Sequence, residues 1–204
     1  MYINGIAFLV TVSWHIKFGA VEPLVKRKQM HLLAGIRSVA QIYRRAGFKV
    51  TAALMDEEFE TLRGDLADLN IALNTTARNK HVGNVEQCIQ TIKERMQAVY
   101  NTLPYRQMPP RLIIEMAKHA VFWLNAFRQP NGIGGNRSPR SIVVGTNINY
   151  SRHCKYQFGE YVQTHKEHDN SMMPRMIGAL VLRPTGNAQG SFRFFSLSMG
   201  RVIT

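Results

Sequence analysis

The spacing of apolar positions changes several times along the chain, and each change marks an element. Ile6 to Val12 is a short unbroken run of β-branched and aromatic residues, and Lys17 to Glu22 alternates. With Ser13-Trp14-His15 between them, the two predict a hairpin. From 30 to 46, Leu33, Ile36, Val39, Ala40 and Tyr43 recur every three or four positions until Gly47, the mark of an amphipathic helix with Arg37, Arg44 and Arg45 on its wet side. Phe48 to Leu54 reads as a strand that runs straight into Asp56-Glu57-Glu58. Leu62 to Leu69 reads as a short helix and Ile71 to Asn74 as another brief strand. The best-patterned helix spans Val82 to about Tyr100. Val85, Ile89, Ile92, Met96 and Val99 form its apolar stripe, with Glu86, Gln90, Lys93 and Gln97 beside them.

Prolines between 104 and 110 break that helix, and Leu112 to Phe127 predicts the next one, with Ile113, Ala117, Ala120, Val121 and Leu124 as core positions. Gln129 to Asn136 is rich in turn formers, and Pro139 to Val144 follows as a short helix. The remainder reads as short β segments, Tyr156 to Thr164, Gly178 to Arg183, Phe192 to Leu197 and Arg201 to Ile203, compatible with a small antiparallel barrel. The expected organisation is therefore an α/β unit over 1–128, a linker with a short helix over 129–150, and an all-β unit over 151–204. Trp14 and Trp123 fall where core packing is expected.

Composition adds a direction. Of 204 residues 45% are hydrophobic, enough for a real core, while 26 Lys and Arg face 13 acidic residues, a net charge of +13. The excess is uneven: +2 over residues 1–75, +7 over 76–150 and +4 over 151–204. A polyanionic partner fits, nucleic acid first and an anionic membrane second. Ile6 to Val12, the longest apolar run, is far short of the roughly 20 residues that span a bilayer. Cys88 and Cys154 form no CxxC pair, so a reducing intracellular compartment, nuclear or cytoplasmic, is expected. His153, Cys154, His165 and His168 match no familiar zinc spacing.

Three acidic positions carry candidate chemistry. Asp56 closes a strand, Glu58 follows it, and Glu86 lies in the first turn of the long helix. Carboxylates from a strand end and a neighbouring helix supply the hard oxygen donors that metal-assisted phosphoryl transfer requires. Asp56 reads equally well as a helix cap, since acidic residues favour helix N-termini. Arg78, Lys80 and His81, just ahead of the helix, form a basic loop suited to phosphate.

The segments around these residues resemble the integrase core of copia-type LTR retrotransposon polyproteins. The resemblance runs through Asp56-Glu57-Glu58-Phe59, Asn74-Thr75-Thr76-Ala77, Gly83-Asn84-Val85-Glu86 and Thr91-Ile92-Lys93-Glu94-Arg95. It continues through Asn136-Arg137-Ser138-Pro139 and Phe158-Gly159-Glu160-Tyr161-Val162 to Gly200-Arg201-Val202-Ile203. It implies a ribonuclease H-like fold, a mixed five-stranded sheet flanked by helices, followed by an SH3-like barrel. It also implies Asp56 and Glu86 as catalytic and metal-binding members of an acidic triad, with two Mg²⁺ or Mn²⁺ ions as cofactors. Arg78, Lys80, Gln90 and Lys93 become DNA-binding residues, element ends and a target duplex the partners, and a homo-oligomer the assembly. In this alignment the first triad Asp falls before Met1, no Asp precedes Asp56, and Gln87 stands in place of the usual Arg. The resemblance therefore implies a truncated first strand and an impaired site. Two functions follow from it: DNA 3′-end processing and strand transfer, or a non-catalytic nucleic-acid-binding remnant. A basic scaffold unrelated to transposition is the third reading.

Overall fold

The structure is a computed structural model that describes residues 1–76, 83–129, 132–133, 135–165, 172 and 175–204. Its first element is one that apolar spacing passed over. Strand β1 (Tyr2–Ile3) turns through Asn4-Gly5, both at positive φ, into β2 (Ile6–Val12). Asn-Gly is the preferred pair for such a two-residue hairpin turn. Strand β3 (Gly19–Leu24) then pairs antiparallel with β2, Val10 opposite Val21. The predicted hairpin is thus present, extended by one short strand.

Helix α1 (Gln29–Arg45) carries Arg44 and Arg45 in its last turn, where they complement the helix dipole. It closes with Gly47 at φ +79°, Gly47 N–H donating to Arg44 and Phe48 N–H to Tyr43. This left-handed cap needs glycine and consumes residues 46–48. For that reason strand β4 (Ala52–Met55) begins later than the sequence reading of Phe48 to Leu54. A 3-10 turn over Glu57–Leu62 and helix α2 (Arg63–Asp68) lead to β5 (Ala72–Thr75), parallel to β4.

Helix α3 (Gly83–Thr102) and helix α4 (Pro110–Ala126) follow. On one face of the hairpin, Phe8 and Val21 pack with Ile92 and Met96 of α3 and with Ile113, Met116 and Ala117 of α4. On the other, Leu9 packs with Leu32 and Ile36 of α1 and with Leu62, Leu66, Ile71 and Leu73. Alternate residues of one strand thus feed two cores, and the sheet layer lies between helices. The five strands do not form one hydrogen-bonded sheet: β1-β2-β3 is one ladder and β4-β5 a second. The expected single five-stranded sheet is corrected accordingly, because β1 is only two residues long and does not reach β4.

Ser138 caps helix α5 (Pro139–Val144), its hydroxyl accepting from Ser141 N–H at 3.2 Å, and helix α6 (Tyr150–His153) comes next. Strands β6 (Tyr161–His165), β7 (Met176–Pro184), β8 (Phe192–Ser196) and β9 (Val202–Ile203) form an antiparallel meander in that order. β6 and β9 are its two edges, so this sheet is open and the expected barrel is corrected to a four-stranded sheet. The meander joins the α4 core through Phe158 and Leu182. Buried Glu115 of α4 accepts from Arg183 of β7 at 3.2 Å. Trp123 packs edge-on against Phe122, but Trp14 sits in the β2–β3 turn, 62% exposed with Lys17 over its ring. The expectation of a buried Trp14 is overturned because the turn carries it out of the strand.

Candidate active site

Strand β4 delivers half-buried Asp56 to its C-terminal end, where the backbone turns into the acidic 3-10 segment of Glu57, Glu58 and Glu60. Asp56 stands at the N-cap position of that segment, yet its side chain makes no capping hydrogen bond. The plain cap reading is therefore not realised. Glu86 lies exposed in the first turn of α3. Asp56 and Glu86 both border one cavity of about 650 Å³, which runs between β2 and β4 beneath Val85 and Ile89 of α3. A smaller cavity of about 500 Å³ adjoins Asp56, Glu57 and Glu58 and is closed by Met1, Tyr2 and Arg27.

Sequence reasoning missed Arg27. It pairs with Glu58 and lies 5.4 Å from the Tyr2 ring centre, and contact with Tyr2, ahead of Glu58, raises its pKa above the ordinary value. Glu58 is thereby turned into an ion-pair partner beside Asp56. The available signal was the basic run Lys26-Arg27-Lys28 between a strand and a helix, but nothing in its spacing connects it to residue 58. The half-buried α-amino group of Met1 has its pKa pushed down by burial first, then by the charges of Arg27 and Lys93. Lys93 is exposed, and exposed Gln90 donates to Glu94 at 3.0 Å along the same helix. Arg78, Lys80, His81 and His168 lie outside the described residues.

Two carboxylates bordering one cavity have the right donor chemistry for a hard divalent ion, which takes oxygen ligands. They fall short of the three carboxylates that the sequence resemblance implies, and among the described residues no group of three or more His, Cys, Asp or Glu is placed to hold a metal ion. The described residues therefore do not make up a complete metal centre. Among the described residues, too, no helix is long and apolar enough to cross a membrane.

No protein-family profile and no curated protein matches the sequence. Among solved structures, the chain is similar to the catalytic core domain of BIV integrase, at 18% identity and a TM-score of 0.51, over 77% of this chain and 94% of that one. It is also similar to the HTLV-2 integrase catalytic core domain, solved in complex with magnesium, at 14% identity and a TM-score of 0.53, over 70% of this chain and 89% of that one. At such identities the likeness is one of fold: a mixed α/β architecture of the integrase-core kind.

Proposed function

We propose that this chain is the integrase-core portion of a copia-type retrotransposon polyprotein and that it binds DNA. The observation that carries the reading is the meeting of Asp56 and Glu86, 30 positions apart, on one cavity within a fold like that of integrase cores. Element ends and a target duplex are the proposed ligands, and a homo-oligomer the proposed assembly. Arg78, Lys80 and Lys93 are the proposed phosphate-neutralising residues, and Gln90, on the same helix as Lys93, a proposed polar contact. The proposed divisions of the chain are 1–128, a linker over 129–150 and 151–204, the last packed on α4 of the first.

In the fully ligated form Asp56 and Glu86 are the proposed oxygen donors to Mg²⁺ or Mn²⁺, with a further carboxylate needed to complete the set. The two-carboxylate set favours a second reading on its own account, a nucleic-acid-binding remnant without catalysis. Purified protein with Mn²⁺ and a labelled duplex separates the two. Strand transfer that disappears in Glu86→Gln supports the first, and retained binding without cleavage in both proteins supports the second. Failure to bind the duplex at low salt overturns both.

A further inference from the structure

The turn between β2 and β3 and the segment that follows α4 meet at one end of the molecule. Ile133 N–H donates to His15 O at 3.2 Å, and the Asn125 side chain bonds both backbone groups of Gly19. Large aromatic rings stand exposed on these two segments: Trp14 is 62% exposed, Phe127 52% and Tyr150 47%. Phe127 and Tyr150 are stacked, with centroids 5.7 Å apart and planes 18° from parallel. Half-buried Trp123 continues the series, 6.2 Å and 31° from Phe127. Both outer rings are held in place. Phe127 is the residue at which α4 ends, Tyr150 opens α6, and the Tyr150 hydroxyl donates to Ala126 O at 3.4 Å. Offset, near-parallel rings are a favoured aromatic geometry, and a series that ends in exposed rings can be extended by one more.

Charge selects what extends it. Residues 1–21 and 116–159, the segments that build this surface, contain no Asp or Glu against seven Lys and Arg. The Lys17 ammonium lies 5.5 Å from the centre of the Trp14 ring, and exposed Arg128 directly follows Phe127. A ring beside a cation matches a nucleotide, because every base has a π-face and every link carries a negative phosphate. A second copy of the chain matches poorly: a two-fold interface here would set Lys17 and Arg128 against a surface of the same sign. Within a duplex the bases cover one another's faces, so the strand that stacks here is unpaired.

We propose that Trp14, Phe127 and Tyr150 form a stacking platform for the bases of single-stranded nucleic acid, with Lys17 and Arg128 holding its phosphates. One base extends the Phe127–Tyr150 stack and another lies on Trp14. The platform differs in residues and in ligand from the duplex contacts proposed for Arg78, Lys80 and Lys93, and it stands whether or not those hold.

The chain has two tryptophans, Trp14 in the platform and Trp123 behind Phe127, so intrinsic fluorescence reports on it. The full chain is titrated with an oligothymidylate of about 12 nucleotides and with an abasic strand of equal length, which has the same phosphates and no bases. The oligothymidylate is expected to quench the fluorescence and to bind at least about tenfold more tightly than the abasic strand. By anisotropy of labelled strands, Trp14→Ala and Phe127→Ala are each expected to weaken oligothymidylate binding about tenfold and to leave the abasic affinity unchanged. Equal affinity of the wild type for the two strands overturns the proposal, a result that needs no variant to fold. Wild-type affinity for oligothymidylate in either variant also overturns it, and if these variants break up an oligomer in sedimentation the face belongs to a second copy instead. Duplex binding at low salt is scored separately, so failure of one reading leaves the other standing.

Discussion

His119 gives the sharpest stability test of how the C-terminal meander is held to α4. Its ring lies 5.2 Å from Phe158 and 6.3 Å from Trp123, and Nδ1 is buried without a hydrogen-bond partner. Burial, only partly offset by a hydrogen bond with the Leu182 backbone and reinforced by the charge of Arg183, pushes its pKa down from 6.5 to about 4. The folded protein thus holds the neutral ring, while the unfolded chain takes up a proton below pH 6.5. The contribution to stability is complete above pH 6.5 and is lost as the pH falls toward 4. A depression of this size corresponds to about 3 kcal/mol in full, of which about 2 kcal/mol is lost by pH 4.5. Urea unfolding at pH 7 and pH 4.5 reads this directly when the wild type is compared with His119→Phe, which keeps a ring but cannot titrate. The wild type should lose about 2 kcal/mol more than the variant across that interval. Parallel losses in the two proteins would refute the reasoning, since the other titrating groups are common to both.

Other contacts make further predictions. Glu115→Gln leaves Arg183 without its carboxylate partner in a buried site, and a loss of about 3 kcal/mol in urea unfolding is expected. Glu115→Leu combined with Arg183→Met should recover most of it, because removing both charges removes the unpaired ion. Buried Asn125 accepts from Gly19 N–H at 2.8 Å and donates to Gly19 O at 2.7 Å, tying α4 to the start of β3. Asn125→Ala strands both backbone groups and should cost about 2–4 kcal/mol in the same assay, with lost amide protection at Gly19.

The parts of the fold that the sequence made legible are those whose apolar period is long or clean: the β2–β3 hairpin, α1, α3, α4 and the β7–β8 pair. Tyr2–Ile3 escaped because two residues carry no period, although Asn4-Gly5 announced a tight turn. The start of β4 was misplaced because Ala46, Gly47 and Phe48 serve the end of α1 instead, a matter of cap geometry rather than hydrophobicity. Closure of the last four strands depends on whether β6 meets β9, a long-range pairing that no local pattern encodes. At the site, the strand-end position of Asp56 and the first-turn position of Glu86 were legible one by one. Their arrival at a common cavity is tertiary, and so is the Arg27–Glu58 pair, which spans 31 positions.

The central proposal, that Arg78, Lys80 and Lys93 neutralise the phosphates of DNA, is tested most directly by the salt dependence of duplex binding. Each neutralised phosphate adds close to one unit to the slope of log affinity against log salt. The account predicts a slope steeper than about −3 for the wild type, reduced by about one in each of Arg78→Ala, Lys80→Ala and Lys93→Ala. A flat salt response, or a steep one that all three substitutions leave unchanged, would contradict it.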